Sequence, residues 1–152
     1  MIVYRVSRTK YANELSGEGA RIYGGRWNSV GVPCIYTSEN RALTVLEYSA
    51  NVPLIDIPRS LSITTYQIPD ASWEIYEEPD LPGNWKQSPI PMETMEFGSN
   101  LLNGMADLAL KIPSAVLPQE YNYIINPLHP DMHQVEIVNI IDFVYDVRIK
   151  NV

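Results

Sequence analysis

Cysteine occurs once in the 152 residues, at Cys34, and histidine twice, at His129 and His133. A lone cysteine excludes an internal disulfide and a cysteine-based zinc site. The histidines stand in HPDMH, the spacing of a helical metal pair, but Pro130 directly after His129 disfavours helix there, so no metal is expected. Long apolar runs are missing too: none nears the roughly 20 residues that a membrane-crossing helix needs. The opening MIVYRVSRTK turns polar within a few residues and does not read as a signal peptide. A reducing, cytoplasmic setting with no membrane attachment is the expectation. Basic residues are also scarce, 11 against 18 acidic ones, for a net charge of −7. That balance argues against direct nucleic-acid binding, which needs a basic face.

What is present suffices for one domain. The chain is 45% hydrophobic and 19% charged, which fits a single compact unit over residues 1–152. A domain of this size buries about 68–70% of the surface its unfolded chain exposes and needs no covalent staple. The charge is unevenly spread: residues 1–41 hold six basic and three acidic side chains, a net of +3, which leaves −10 for the remainder. An anionic ligand is therefore drawn to the first third of the chain, although ordinary solvated charge would give the same pattern.

MIVYRV alternates and is β-branched, and predicts a first strand. Residues 8–31 contain five of the eight glycines and little periodicity, which predicts a long loop. Its Tyr11, Tyr23 and Trp27 favour a functional loop over a disordered one. VPCIYT (32–37) reads as a short buried strand. Ser38 as N-cap and Glu39 in the first turn predict a helix to Asn51, stopped by Pro53. Ala42, Leu43, Leu46, Ser49 and Ala50 form its expected inward stripe, with Glu47 on the shoulder, where a carboxylate can look into a cleft. Further strands are expected at 61–68, 72–77 and 108–116, an extended stretch at YNYIINP, and one bent strand or two over 135–149. A short helix is expected at 99–108, after connections interrupted by Pro79, Pro82, Pro89 and Pro91. The sum is an α+β (mixed α/β) domain dominated by short strands.

The segment GARIYGGRWNSVG (19–31) fits neither G-x-x-x-x-G-K-[ST] nor G-x-G-x-x-G. It offers backbone N–H groups and Arg26, whose fork suits phosphate or a sugar diol. A turn whose arginine sits in a structural ion pair is an equal reading of this stretch alone. Tyr36, at a strand end, is core packing or else a stacking surface or hydroxyl donor for a ligand. Glu47 is either an inconsequential solvated carboxylate or a negative charge poised beside a developing carbocation. Ser114, in KIPSAV, lacks the G-x-S-x-G elbow, so a serine hydrolase using it with His129 or His133 is a distant alternative.

Taken together these residues resemble the RES domain, a family of bacterial toxins. The resemblance begins at Tyr4–Arg5 and passes through LSGEGARIYGGRWNSVG and IYTSENRALTVLEYSA. It resumes at KIPSAVLPQEYNYIINPLHP and ends at FVYDVRI. Residues 52–107 match loosely, and the family's tryptophan-containing segment after a glycine is not evident at FGSNLL. The resemblance implies a fold similar to ADP-ribosyltransferases of the diphtheria-toxin type and an enzyme that consumes NAD as substrate, with no further cofactor. It also implies an antitoxin partner that carries a helix-turn-helix DNA-binding domain and covers the active site, in an oligomeric complex with the toxin.

That implied activity suits the residues. Breaking the nicotinamide–ribose bond passes through an oxocarbenium-like state, which a positioned carboxylate stabilises. Glu47 is the expected carboxylate, Arg26 the anchor for pyrophosphate or ribose, and Tyr36 the aromatic wall. Gly25, Asn28, Ser114 and Asn122 are the expected substrate-binding positions, with Trp27 and Asn28 also bracing the loop. Water, phosphate or a protein side chain can accept the ADP-ribosyl group, giving hydrolysis, phosphorolysis or ADP-ribosylation. The competing function is a non-catalytic module that binds an ADP-ribose-like ligand or a partner protein.

Overall fold

The structure, a computed structural model, describes residues 1–150. Seven strands form one sheet: β1 (Ile2–Arg8), β2 (Ile35–Ser38), β3 (Leu61–Gln67), β4 (Trp73–Ile75), β5 (Ala109–Pro113), β6 (Tyr121–Ile125) and β7 (Glu136–Phe143). Three α-helices accompany them: α1 (Glu18–Tyr23), α2 (Arg41–Asn51) and α3 (Met92–Gly104). The sheet runs β4-β5-β6-β2-β1-β3-β7, antiparallel except for the β4–β5 pair. This is the mixed α/β single domain that the patterning predicts.

Strand alternation puts opposite sets of side chains on the two faces of β5 and β6. Ala109, Tyr123 and Ile125 join Val3, Ile35 and Tyr66 in one buried cluster. Leu110, Ile112 and Ile124 join Trp27, Cys34, Trp85 and Leu102 in a second. The second cluster draws in both the glycine-rich segment and α3, and it seats the site from below. Full burial of side chains such as Ile112 and Ile124 is worth roughly 1.5–3 kcal/mol each.

The sheet is not evenly knit. β1 pairs with β3 along its whole length, from Ile2 opposite Gln67 to Arg8 opposite Leu61. It meets β2 only at Tyr4 opposite Ser38. The two central strands therefore diverge, and a cleft opens where they part.

Several boundaries differ from the sequence-based expectation, each for a local reason. The expected loop at 8–31 contains α1, a helix of six residues that starts after Gly17 in the left-handed region and ends at Gly24. α2 is capped by Asn40, whose side-chain oxygen accepts the Leu43 N–H at 2.7 Å. Ser38 instead closes β2, its hydroxyl engaged with Asn122. The buried residues of α2 are Leu43, Thr44 and Ser49, while Ala42, Leu46 and Ala50 face outward. The helix is rotated because Thr44 turns inward, where its Oγ1 accepts the Val6 N–H of β1 at 3.2 Å. α3 starts at Met92 rather than 99, since Pro91 can stand just ahead of a helix whose first N–H groups are unbonded anyway. The 135–149 stretch is a single strand, β7, followed by a turn at Val147–Lys150.

Candidate active site

The cleft between β1 and β2 has a volume of about 440 Å³, within the usual range for small-molecule sites. β1 contributes Arg5, β2 contributes Tyr36, Thr37 and Ser38, α2 contributes Glu47, and β6 contributes Asn122. Gly24, Gly25 and Arg26 close one side, with Ile90 also on the wall.

Glu47 occupies the middle turn of α2, half-buried. Its Oε1 accepts hydrogen bonds from Ser114 Oγ at 2.5 Å and Asn122 Nδ2 at 2.6 Å. Both donors are themselves oriented. The Ser114 oxygen accepts the N–H groups of Val116 and Leu117, each at 3.1 Å, so its own proton is left for Glu47. The Asn122 carbonyl oxygen accepts from Ser38 Oγ at 2.7 Å, which turns its NH₂ group toward the carboxylate. The second oxygen, Oε2, has one long contact, 3.4 Å from Asn51 Nδ2. The carboxylate is thus held through one oxygen, and the other retains acceptor capacity.

Tyr36 stands beside the glycine-rich segment. Its hydroxyl donates to Asn28 Oδ1 at 2.5 Å and accepts the Trp27 N–H at 3.0 Å. A Cβ on Gly25 would lie 2.6 Å from that hydroxyl, so glycine is needed there for close approach. Burial above all, with the neighbouring Cys34 thiol adding to it, pushes the Tyr36 hydroxyl well above its ordinary pKa. The tyrosine is therefore neutral at physiological pH.

Asn28 is fully buried. Its amide nitrogen donates to the carbonyls of Ala20 at 2.8 Å and Val32 at 2.9 Å, and its oxygen is taken by Tyr36. Expected as a substrate contact as well as a brace, Asn28 faces inward and does only the bracing. Trp27 is buried against Trp85 and Phe97. Arg26 reaches across the cleft's side, its Nη1 donating to the carbonyls of Trp85 at 2.7 Å and Gln87 at 2.9 Å. Burial lowers its pKa, against the opposing charge of the Glu47 carboxylate.

Arg5 escaped the sequence-based assignment of roles. Its Nη1 is buried and has no hydrogen-bond partner. A buried guanidinium nitrogen without an acceptor carries a desolvation penalty that an anionic ligand would relieve. Arg5, Gly24 and Tyr36 also line a smaller adjoining cavity of about 240 Å³, with Glu14 and Cys34. The signal was available in the strand pattern: Arg5 shares the parity of Val3 and Ser7, both buried, in a central strand.

The arrangement brings Arg26, Tyr36, Glu47, Gly25 and Asn122 to one cleft, with Ser114 behind Glu47. It does not bring the histidines there. His129 Nδ1 accepts the Asp131 N–H, and His133 Nδ1 lies 2.9 Å from the Pro130 carbonyl. Ser114 has a carboxylate partner and no imidazole, which removes the Ser–His hydrolase reading. Among the described residues no group of three His, Cys, Asp or Glu side chains is placed to hold a metal ion. Nor is any of their helices long and apolar enough to cross a membrane.

Comparison with known proteins finds a counterpart of this fold among solved structures. The crystal structure of the M. tuberculosis MbcT–MbcA toxin–antitoxin complex contains a chain that superposes with a TM-score of 0.76 at 16% identity, over 94% of this chain and 84% of that one. That likeness concerns the fold. The sequence is more specific: the RES domain model matches residues 2–146, and the chain belongs to the RES family. A protein named Toxin Res from Photorhabdus laumondii is 36% identical over 98% of this chain and 97% of its own length. One named Prs ADP-ribosylating toxin, from a Sphingobium species, is 35% identical over 93% and 90% respectively.

Proposed function

We propose that this chain is the toxin of a toxin–antitoxin pair and that it cleaves the nicotinamide–ribose bond of NAD. The observation that carries the reading is the pairing, in one cleft, of a carboxylate oriented through one oxygen with an arginine whose buried nitrogen has no acceptor. The names of the relatives, toxins and an ADP-ribosylating toxin, support it.

Arg5 takes the pyrophosphate, and the N–H groups of Arg26 not used on Trp85 and Gln87 assist at the side wall. The bond between the ribose C1′ and the nicotinamide nitrogen breaks, and its electron pair leaves with nicotinamide, which departs neutral. Positive charge develops on C1′ and the ring oxygen. Glu47 stabilises it through Oε2, either directly or by holding a ribose hydroxyl, while Ser114 and Asn122 keep the carboxylate in place. The ring of Tyr36 walls the sugar. An acceptor oxygen or side-chain nucleophile then adds to C1′ and loses its proton. A partner antitoxin with a helix-turn-helix domain keeps the cleft closed until the toxin is released.

The test is to incubate the purified chain, freed of any partner, with NAD and to separate the products by chromatography, with and without inorganic phosphate. Released nicotinamide with ADP-ribose means hydrolysis, and a phosphate-dependent phosphorylated sugar means phosphorolysis. Labelling of a lysate protein from tagged NAD means transfer to a protein. Intact NAD in all three arms, from a folded sample, overturns the proposal. Calorimetric NAD binding without product would then identify the chain as a binding module.

A further inference from the structure

Helix α3 has a glycine in its interior, Gly98, where alanine would serve the helix better. The reason for glycine lies outside the helix. A Cβ on Gly98 would lie 2.1 Å from the Trp27 carbonyl oxygen and 2.7 Å from both its carbonyl carbon and Cα. Backbone packs on backbone there, and the contact leaves no room for a methyl group. The next residue completes the contact: Ser99 Oγ accepts the Ser29 N–H at 2.8 Å. Both Gly98 and Ser99 are buried.

The segment pinned in this way is the one that holds Tyr36. The N–H of Trp27 donates to the Tyr36 hydroxyl at 3.0 Å, and the side chain of the following residue, Asn28, accepts from it at 2.5 Å. Gly25 also approaches that hydroxyl so closely that a Cβ would collide with it. The Trp27 backbone is thus held between Gly98 of α3 and the Tyr36 hydroxyl, which Gly25 also approaches. A shift of a few tenths of an ångström on the α3 side must be passed on to Tyr36, because close-packed interiors have no slack to absorb it.

We propose that Gly98 and Ser99 are positioning residues of the active site: α3 sets the height of the 26–29 backbone, and through it the placement of Tyr36 in the cleft. The proposal gives residues 92–104, where the resemblance to the RES family assigned nothing, a part in the site. Its activity readout rests on the NAD-cleaving reading above, and its structural readout does not.

The experiment is amide hydrogen exchange by NMR on the full chain, together with steady-state NAD turnover, for Ser99→Ala, Ser99→Thr, Gly98→Ala and Asn100→Ala. Ser99→Ala should speed exchange at both Ser29 and Trp27. It should lower kcat about two- to tenfold, the scale of one neutral hydrogen bond, with KM nearly unchanged. Ser99→Thr keeps the hydroxyl and should recover both. Gly98→Ala should exceed Ser99→Ala in both readouts. The Ser99 variants carry the test if Gly98→Ala fails to fold. Asn100 is exposed on the same helix and serves as control. Wild-type exchange at Trp27 in Ser99→Ala, or equal effects from Asn100→Ala, overturns the proposal. If the wild type does not turn over NAD, the earlier reading falls and the exchange data alone decide this one.

Discussion

Glu47 and Arg26 line the same cleft but are held in different ways. Glu47 is fixed by side chains, the Ser114 hydroxyl and the Asn122 amide, each oriented by a further hydrogen bond. Arg26 is fixed by main chain: two carbonyls of the 85–87 segment take its Nη1, and the residues after it are pressed against α3 and Tyr36 through glycines. One wall depends on which functional groups stand at which positions, the other on volume and backbone path. Conservative polar changes should therefore be severe in the first wall and mild in the second, and a methyl group added at Gly25 or Gly98 the reverse.

The largest effect should come from the polar wall. Glu47→Gln preserves shape and removes the charge, and should lower the rate of NAD cleavage by about 10²–10⁴ with little change in Tm. Turnover near the wild-type level would move the chemistry away from this carboxylate.

The two arginines sharpen the contrast at the next scale. Arg5→Ala removes the guanidinium that lacks a protein acceptor, so NAD binding should weaken about 10–100-fold by calorimetry while thermal stability holds. Arg26→Ala frees two carbonyls and should lower stability by about 1–3 kcal/mol, with the smaller effect on NAD affinity. The opposite order of affinities would make Arg26 the principal anchor.

The last effect, absent near neutral pH, is a pH dependence of stability belonging to the packed wall. Burial pushes the Cys34 thiol from 9.0 up to about 12, and Tyr36 well above 10.0. As pH rises past 9.0 the unfolded chain gives up protons that the folded chain keeps, so the unfolded state binds fewer and stability falls. Urea midpoints should decline from pH 9 toward pH 12, and Tyr36→Phe should flatten the part of that decline above pH 10. An unchanged slope in the variant would mean that Tyr36 titrates alike in both states.

The same contrast explains what could be read before the fold was known. Glu47 was legible because a helix of 3.6-residue period gives each side chain a direction; the cap and the exact rotation of α2 escaped, since Ser38 closes β2 and Thr44 turned inward to bond β1. Asn28 was half legible. Its role as brace could be anticipated from the loop, but its full burial depends on the carbonyls of Ala20 and Val32 converging on it. Arg5 sat in plain view in a strand pattern, yet its importance comes from the parting of β1 and β2, which no local pattern encodes. The 81–104 stretch said least, because its prolines and Gly98 carry meaning only against the chain segment they touch.

The order of the strands, two of the three α-helices, the acidic balance with a basic first third, and the set of polar residues that resembles the RES family all follow from residue type and short spacing. Those properties are local, decided within one turn of helix or a few residues of strand. The tertiary structure alone decided that Arg5 ends without an acceptor, that Gly98 meets Trp27, and that Ser114 and Asn122 share one oxygen of Glu47. Each of these joins residues 67 or more positions apart in the chain or depends on how two strands diverge. Contacts of that range arise from close packing of the whole chain, so no window of sequence contains them.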